Sequence, residues 1–188
     1  MEKKLLNRAG CLLLTLLFSM PLWAQVNPAA VPLQRYQIAN SGCAALFPAA
    51  PAGIESSLDV DSNKVYIARA ETVVNKETYV YSVHVMQLRN PDAADDDFEQ
   101  LTQYLDYIKS TLNIADEEGY KKVNGLTRGK LAKAMSDSWS DHTGIEFKVM
   151  GWIQGRTLAV LYVMGQGPLP AKLGVNNFLN GFQFPAAF

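Results

Sequence analysis

Two pairs of alternating segments, each joined by a short polar turn, constrain the fold of this chain more than any other feature. In the first pair, residues 64–74 and 78–88 are rich in the β-branched and aromatic side chains that strands prefer. In the second pair, a turn at Gln154-Gly155-Arg156 separates residues 145–153 from residues 158–164. Strands joined by tight turns pair antiparallel, and the unbroken apolar run 158–164 is typical of a strand covered on both faces. The pattern therefore predicts an antiparallel sheet with this run as a central strand.

One amphipathic helix is predicted between the two pairs of strands. Apolar residues recur there at spacings of three and four, which places them on one stripe of a helix: Phe98, Leu101, Leu105, Ile108 and Leu112. Asp96, with Glu99 three residues later, fits a capping box at the start of this helix. A second, short helix is predicted from Pro170 to about Leu179. Both helices must bury their stripes on the sheet, so the predicted fold class is α+β, an antiparallel sheet flanked by helices.

The remaining segments have weaker patterns. Short strands are predicted over residues 35–40 and 43–47, before a proline-rich stretch. The apolar residues within 120–143 fit a short helix or one face of a strand equally well. We predict irregular structure there that leads into a strand near 130–139.

The first 24 residues have the order of a secretory signal peptide. Lys3, Lys4 and Arg8 precede the apolar run at 12–18, and a small residue, Ala24, offers a cleavage site. The run is shorter than the ~20 residues of a spanning helix, although a retained N-terminal anchor is an alternative. We therefore predict cleavage after Ala24, export to the periplasm or beyond, and no membrane insertion after the leader is removed.

Composition indicates one ordinary globular domain after the leader. Of 188 residues, 48% are hydrophobic and 19% are charged, which excludes a disordered chain. We assign residues 25–34, with two prolines, to an extended arm and residues 35–188 to a single domain.

The formal net charge of -1 gives no electrostatic case for nucleic acid or anionic lipid. Cys11 would leave with the leader and precedes the apolar run, so lipidation is not expected, and Cys43 would remain alone.

Few residues are available for catalysis. The sequence contains no Gly-x-Ser-x-Gly elbow, no phosphate loop, no His-Glu-x-x-His pair and no Cys-x-x-Cys pair. A nucleophile needs a base within hydrogen-bond reach, which leaves Cys43 with His84, or His142 with Asp141, for a small thiol or hydrolytic enzyme. The competing interpretations are structural: a buried cysteine, a histidine within the sheet and an exposed histidine in a turn.

Two acidic segments raise the hypothesis of a cation-responsive accessory protein. Asp59, Asp61 and Asn63 copy the first three ligand positions of a calcium loop, but the sixth position holds Lys64 instead of glycine. A polar turn is the competing interpretation. The second segment lies at the start of the predicted helix, where the helix dipole already favours acidic residues: Asp95, Asp96 and Asp97. Neither segment is predicted to be a metal site, and no cofactor is predicted.

Short motifs along the chain resemble those of small exported domains with a PsbP-like fold. Residues 42–48 (GCAALFP) followed by Pro51 are similar to the opening strand of that group. Residues 143–146 (TGIE), Gly155-Arg156 and residues 178–182 (FLNGF) continue the resemblance, although relatives commonly have serine where this chain has Gly181. The resemblance implies an antiparallel sheet between helices. It carries over no catalytic residue, and members of the group act mostly as assembly, accessory or binding proteins.

These observations together favour a non-enzymatic function. We predict an exported binding or accessory domain that acts through a surface of the sheet and its loops, with another envelope protein or a small ligand as its partner. Most aromatic residues are expected in the core, and a few on the recognition surface: Trp139, Trp152, Tyr36, Tyr66, Tyr79, Tyr81, Tyr104 and Tyr107. The thiol or hydrolytic enzyme and the cation-responsive protein are the alternatives.

Overall fold

A computed structural model describes residues 30–52, 55–59, 61–89, 97–127 and 130–186. The predicted leader, the first residues of the predicted arm and the capping residue Asp96 lie outside these ranges. Asp95 also lies outside them, so the predictions for the leader and for the acidic run stay predictions.

Within the described ranges, runs of consecutive strands are separated by one long helix and followed by two short ones, the pattern of an α+β protein, which confirms the predicted class. In chain order the elements are β1 Gln34–Gln37, β2 Ala44–Phe47, β3 Glu55–Leu58, β4 Lys64–Val74, β5 Glu77–Gln87, α1 Asp97–Leu112, β6 Ile114–Glu117, β7 Lys121–Thr127, β8 Lys130–Asp141, β9 Ile145–Gln154, β10 Thr157–Gln166, a 3-10 helix Ala171–Leu173 and α2 Val175–Asn180. None of the helices in these ranges has both the length and the apolar character needed to cross a membrane.

The main sheet is antiparallel throughout, in the order β3-β4-β5-β10-β9-β8. The outer edge of β8 pairs with β7 along one part of its length and with β6 along another. The two predicted hairpins are β4–β5 and β9–β10. Strand β10 lies between β5 and β9 and is buried from Thr157 to Val163, which confirms the prediction of a central strand.

The structure corrects the prediction of irregular structure before residue 130, where strand β7 lies, and confirms the predicted strand near 130–139, which is β8. β7 and β8 form a regular antiparallel ladder, from Lys121 opposite Ser136 to Thr127 opposite Lys130. The sequence of β7 is mostly small and polar, so no apolar alternation marks this strand. Backbone hydrogen bonds across the ladder decide the structure of this segment.

Helix α1 covers one face of the sheet, which we call the α1 face. Its buried residues are three of the predicted stripe together with a tyrosine, Leu101, Tyr104, Leu105 and Ile108, while Phe98 and Leu112 at the ends of the stripe are partly buried. They pack into a core cluster with Trp139, Phe147 and Val149. Gly151 of β9 permits the close approach of the helix, because a Cβ atom at this position would lie 2.9 Å from Cδ1 of Leu101.

The opposite face, which we call the α2 face, is covered by helix α2 and the separate β1–β2 hairpin. Phe178 of α2 meets Phe47 of β2 and Tyr81 of β5 edge to face, with ring centroids 5.7 and 5.1 Å apart. The indole nitrogen of Trp152 donates a hydrogen bond to the carbonyl oxygen of Leu179 at 3.0 Å. The sheet is therefore enclosed in an α/β/α sandwich.

The segment before α2 differs from the single short helix predicted from Pro170. A 3-10 helix, Ala171–Leu173, ends at Gly174, and α2 begins at the next residue. The φ angle of Gly174 is 65°, a left-handed conformation that glycine adopts without steric cost. This residue divides the predicted helix into two.

Candidate functional site

Helix α1 covers only part of its face of the sheet, because it packs over β8 and β9. Beside it, above β4 and β5, lies a groove of about 710 Å³, which we call the α1 groove. Strand alternation brings five of its floor residues to this face: Val65, Ile67, Arg69, His84 and Met86. The floor is therefore apolar except for one cation and one imidazole.

One flank of α1 forms a wall of the groove. Its residues recur every three or four positions and share one side of the helix: Gln100, Gln103, Tyr104, Tyr107, Ile108 and Thr111. The rings of Tyr104 and Tyr107 stack at a centroid distance of 6.4 Å, and Tyr107 is 63% exposed. Leu58, at the end of β3, also lines the groove and is 65% exposed. Large side chains with this exposure are typical of recognition surfaces.

The loop between β3 and β4 forms another part of the rim and contains the calcium-like motif. The Asp59 carboxylate accepts hydrogen bonds from the backbone amides of Asp61 and Asn63 at 3.0 and 2.7 Å, and from the Asn63 side-chain amide at 2.8 Å. The carboxylate therefore closes a polar turn, as Asp commonly does. In the ranges that the structure describes, no three potential metal-ligating side chains of His, Cys, Asp or Glu come together.

His84 lies in the groove floor and is 7% exposed. Its Nε2 atom is 3.3 Å from the hydroxyl oxygen of Tyr162. Burial, with a smaller effect of the Arg69 charge, lowers the pKa of His84 from 6.5 to about 4. Burial also raises the pKa of Tyr104 on the helix wall. At neutral pH both groups are therefore uncharged.

Arg69 supplies the positive charge of the groove floor. A guanidinium group stays protonated at any physiological pH and presents five hydrogen-bond donors. None of the ion pairs among the described residues includes Arg69. Its partner in the β4–β5 ladder is Ser82, whose buried hydroxyl oxygen has no hydrogen-bond partner among the residues that the structure describes. The groove therefore combines apolar surface with a cation that forms no ion pair among the described residues, while two carboxylates, Asp59 and Asp61, line its rim.

The structure does not bring Cys43 and His84 together. Cys43 is fully buried in the core on the α2 face, with Ile38 and Phe47. His84 points to the α1 face, because its strand neighbours Val83 and Val85 belong to the α2-face core. The sheet itself separates the thiol from the imidazole. This geometry does not supply the base that a nucleophilic Cys43 would need.

Asp141 and His142 form a turn before β9. The Asp141 carboxylate accepts hydrogen bonds from the backbone amides of Ile145 and Thr143 at 2.9 and 2.8 Å, and these bonds, that of Ile145 above all, lower the pKa of Asp141. The imidazole of His142 is exposed and makes no hydrogen bond to Asp141 in the described part of the chain. The carboxylate orients the turn and not the histidine.

Sequence reasoning missed the α1 groove, although two signals pointed to it. Arg69 follows Val65 and Ile67 on one face of an alternating strand, where an apolar residue would continue the pattern. Tyr104 and Tyr107 stand three residues apart on a predicted helix, beside its apolar stripe. Each signal is ambiguous alone, and only the packing of α1 against the sheet places the two together.

Comparisons with known proteins find similarity only at the level of three-dimensional structure. No protein-family model matches the chain, and no curated protein matches it. A crystal structure of PA94 from Pseudomonas aeruginosa, described as a protein of unknown function and putative regulator, matches with 10% identity and a TM-score of 0.38. This match covers 76% of this chain and 86% of that one.

The solution structure of cyanobacterial PsbP (CyanoP) from Synechocystis sp. PCC 6803 is also similar. It matches with 11% identity and a TM-score of 0.45, over 87% of this chain and 99% of that one. The short motifs resemble those of the same group of proteins. Neither match assigns a function to this chain.

Proposed function

We propose that this protein is an exported, non-enzymatic binding domain that holds a small amphiphilic anion in the α1 groove. The observation that carries the proposal is the position of Arg69, a cation without an ion-pair partner among the described residues, beside apolar floor residues. The predicted leader supports export, and the separation of Cys43 from His84 by the sheet supports a binding role over catalysis.

The size and lining of the groove favour a small ligand over a protein partner. Its volume of about 710 Å³ falls within the roughly 300–1,000 Å³ that small-molecule sites occupy. The partly exposed side chains of Val65, Ile67 and Met86 offer apolar surface for an aliphatic or aromatic body. Each Å² of apolar surface removed from water contributes about 25 cal/mol to binding.

The charged residues of the groove favour a ligand whose anionic group lies beside Arg69. Arg69 can form charge-assisted hydrogen bonds to a carboxylate or sulfonate, which are stronger than neutral ones. Asp59 and Asp61 on the loop would repel the same group and so orient the ligand with its charge towards Arg69. The neutral imidazole of His84 adds one polar atom without changing the charge.

The proposal is tested with two fluorescent probes of nearly equal shape, 8-anilinonaphthalene-1-sulfonate and uncharged N-phenyl-1-naphthylamine. We expect saturable binding of both by the folded protein. Arg69→Gln should weaken binding of the sulfonate about tenfold and leave the uncharged probe unaffected, because only the charge-assisted contact is lost. Lys76→Gln, in the exposed turn between β4 and β5, serves as the control and should bind as the wild type does.

Circular dichroism and thermal melting would confirm that each variant is folded, since partly unfolded proteins also bind such probes. Failure of the folded protein to bind either probe would contradict the proposal. Equal sulfonate affinity of the wild type and Arg69→Gln would contradict the role of the cation.

A further inference from the structure

A second cavity, of about 620 Å³, lies at one end of the strands, where β3 ends and β4 and β10 begin. Three of its lining residues are cations: Lys64, Arg89 and Arg156. Two hydroxyl-bearing residues, Ser62 and Thr157, line it as well. None of the described residues that line this cavity is acidic. We call it the basic cleft.

The tertiary fold assembles the basic cleft from distant parts of the chain. Gln87 of β5 is opposite Lys64 on one side and opposite Thr157 on the other, so three neighbouring strands meet there. Arg156 comes from the β9–β10 turn, and Arg89 follows β5. The cations are therefore close in space because of strand register and not because of sequence spacing.

Contacts with the backbone hold Arg156 in place. Its Nε and Nη2 atoms donate hydrogen bonds to the carbonyl oxygen of Leu88 at 3.1 and 2.9 Å, and Nη2 also donates to the carbonyl oxygen of Arg89. The backbone amide of Arg89 donates to the side-chain oxygen of Asn63 at 3.0 Å. The neutral carbonyl oxygens of Leu88 and Arg89 orient the guanidinium of Arg156 without cancelling its charge.

The charges of the cleft are left uncompensated. No ion pair in the described ranges includes Lys64, Arg89 or Arg156. Like charges that share a cleft repel each other, and this occurs in a chain with a formal net charge of -1. This repulsion destabilises the folded protein, and local destabilisation without a structural benefit is typical of binding sites.

We propose that the basic cleft binds a phosphate group. Two guanidinium groups and an ammonium group, with nearby hydroxyl groups, are donors that match the oxygen atoms of a phosphate. The cavity is larger than inorganic phosphate requires, so the group belongs to a phosphorylated small molecule or to a lipid headgroup. This site is separate from Arg69 and goes beyond the function proposed for the α1 groove.

The first arm of the test uses inorganic pyrophosphate as the soluble probe, titrated calorimetrically at constant ionic strength. We expect saturable binding that Lys64→Gln and Arg89→Gln each weaken about fivefold and that the double variant abolishes. Both side chains are exposed and make no hydrogen bond or ion pair within the described residues, so the variants should fold. Lys76→Gln should bind as the wild type does. Pyrophosphate should also raise the melting temperature of the wild type but not that of the double variant.

The second arm uses sedimentation with vesicles of phosphatidylglycerol, with phosphatidylcholine vesicles for comparison. Binding of pyrophosphate alone assigns a soluble phosphate compound. Binding to phosphatidylglycerol vesicles that the double variant abolishes assigns a lipid headgroup. The proposal is overturned if neither arm shows binding up to about 10 mM pyrophosphate or lipid phosphate. Binding that the double variant retains, or that Lys76→Gln weakens equally, also overturns it.

Discussion

The Nε2 atom of His84 lies 3.3 Å from the hydroxyl oxygen of Tyr162, beneath the α1 groove. The two residues belong to adjacent strands, where Tyr162 is opposite Ser82 and Val160 is opposite His84. They are therefore diagonal neighbours on the α1 face, with ring centroids 5.5 Å apart. Burial favours the neutral imidazole at this position, and the nearby Arg69 charge acts in the same direction.

The buried His84 should make the protein less stable in mild acid. Between its ordinary pKa of 6.5 and its folded-state pKa of about 4, the unfolded chain binds a proton that the folded protein does not. The contribution of His84 is complete above pH 6.5 and is lost as pH falls towards 4, by up to about 3 kcal/mol. Urea unfolding at about pH 7 and about pH 4.5 measures this loss.

His84→Gln is the control for this prediction, because glutamine keeps a polar group and does not titrate. Carboxylates titrate in both proteins, so the difference between them isolates the histidine. Identical pH dependence of wild type and variant would show that the imidazole does not set acid stability.

Removal of the Tyr81 hydroxyl should destabilise the α2 face. This buried group donates a hydrogen bond of 2.7 Å to the carbonyl oxygen of Leu173. Tyr81→Phe leaves that acceptor without this donor, which costs about 1–2 kcal/mol of unfolding free energy. Tyr36→Phe is the matched control, since its hydroxyl bonds only the exposed Gln34, and should change stability by less than about 0.5 kcal/mol. Equal losses in the two variants, measured by denaturant unfolding, would contradict the prediction.

Gly181 stands where the resemblance leads one to expect serine, and the packing explains the glycine. A Cβ atom at this position would lie 2.5 Å from Cδ1 of Leu46 and 2.6 Å from the backbone oxygen of Asn177. We expect Gly181→Ser to lower the unfolding free energy by about 2 kcal/mol through overpacking. Leu46→Ala in the same chain should recover only part of the loss, because the clash with the backbone remains. If the Gly181→Ser protein is as stable as the wild type, the end of helix α2 accommodates the serine side chain without a loss of unfolding free energy.

The exposed rim of the α1 groove should contribute to ligand affinity. Leu58→Ser and Tyr107→Ser remove apolar surface beside the floor, and each should weaken binding of the uncharged naphthylamine probe about threefold to tenfold. Val73→Ser is the matched control: Val73 is 66% exposed but does not line the groove. Fluorescence titration measures all three variants. If Val73→Ser weakens binding as much as the rim variants do, the probe binds apolar surface without preference for the groove.

The amino-acid pattern alone was sufficient for the elements with strong periodicity. Strands β4, β5 and β9 and the buried stripe of α1 follow from apolar residues that recur with a period of two or of nearly four, and the central strand β10 follows from an unbroken apolar run. Strand β7 did not follow, because its mostly small and polar sequence has no apolar period to detect. Its pairing depends on backbone groups, which every residue carries.

The candidate sites depended on arrangement that no local pattern contains. Sequence suggested Cys43 with His84, since both stand on strands. However, the alternation of apolar residues within a strand does not predict which face of the main sheet a separate hairpin will cover. The β1–β2 hairpin packs on the α2 face and carries Cys43 there, away from the imidazole.

Local chemistry thus determined which segments of this chain become strands and helices, and which side chains of each segment share a face. Tertiary structure decided which faces meet. It placed Arg69 beside helix α1, which covers only part of the sheet, and it brought Lys64, Arg89 and Arg156 together at one end of the strands. The physical reason is the range of the interactions. Periodicity records burial within a single element, whereas a groove or a cluster of charges depends on the register and layering of elements that are far apart in the chain.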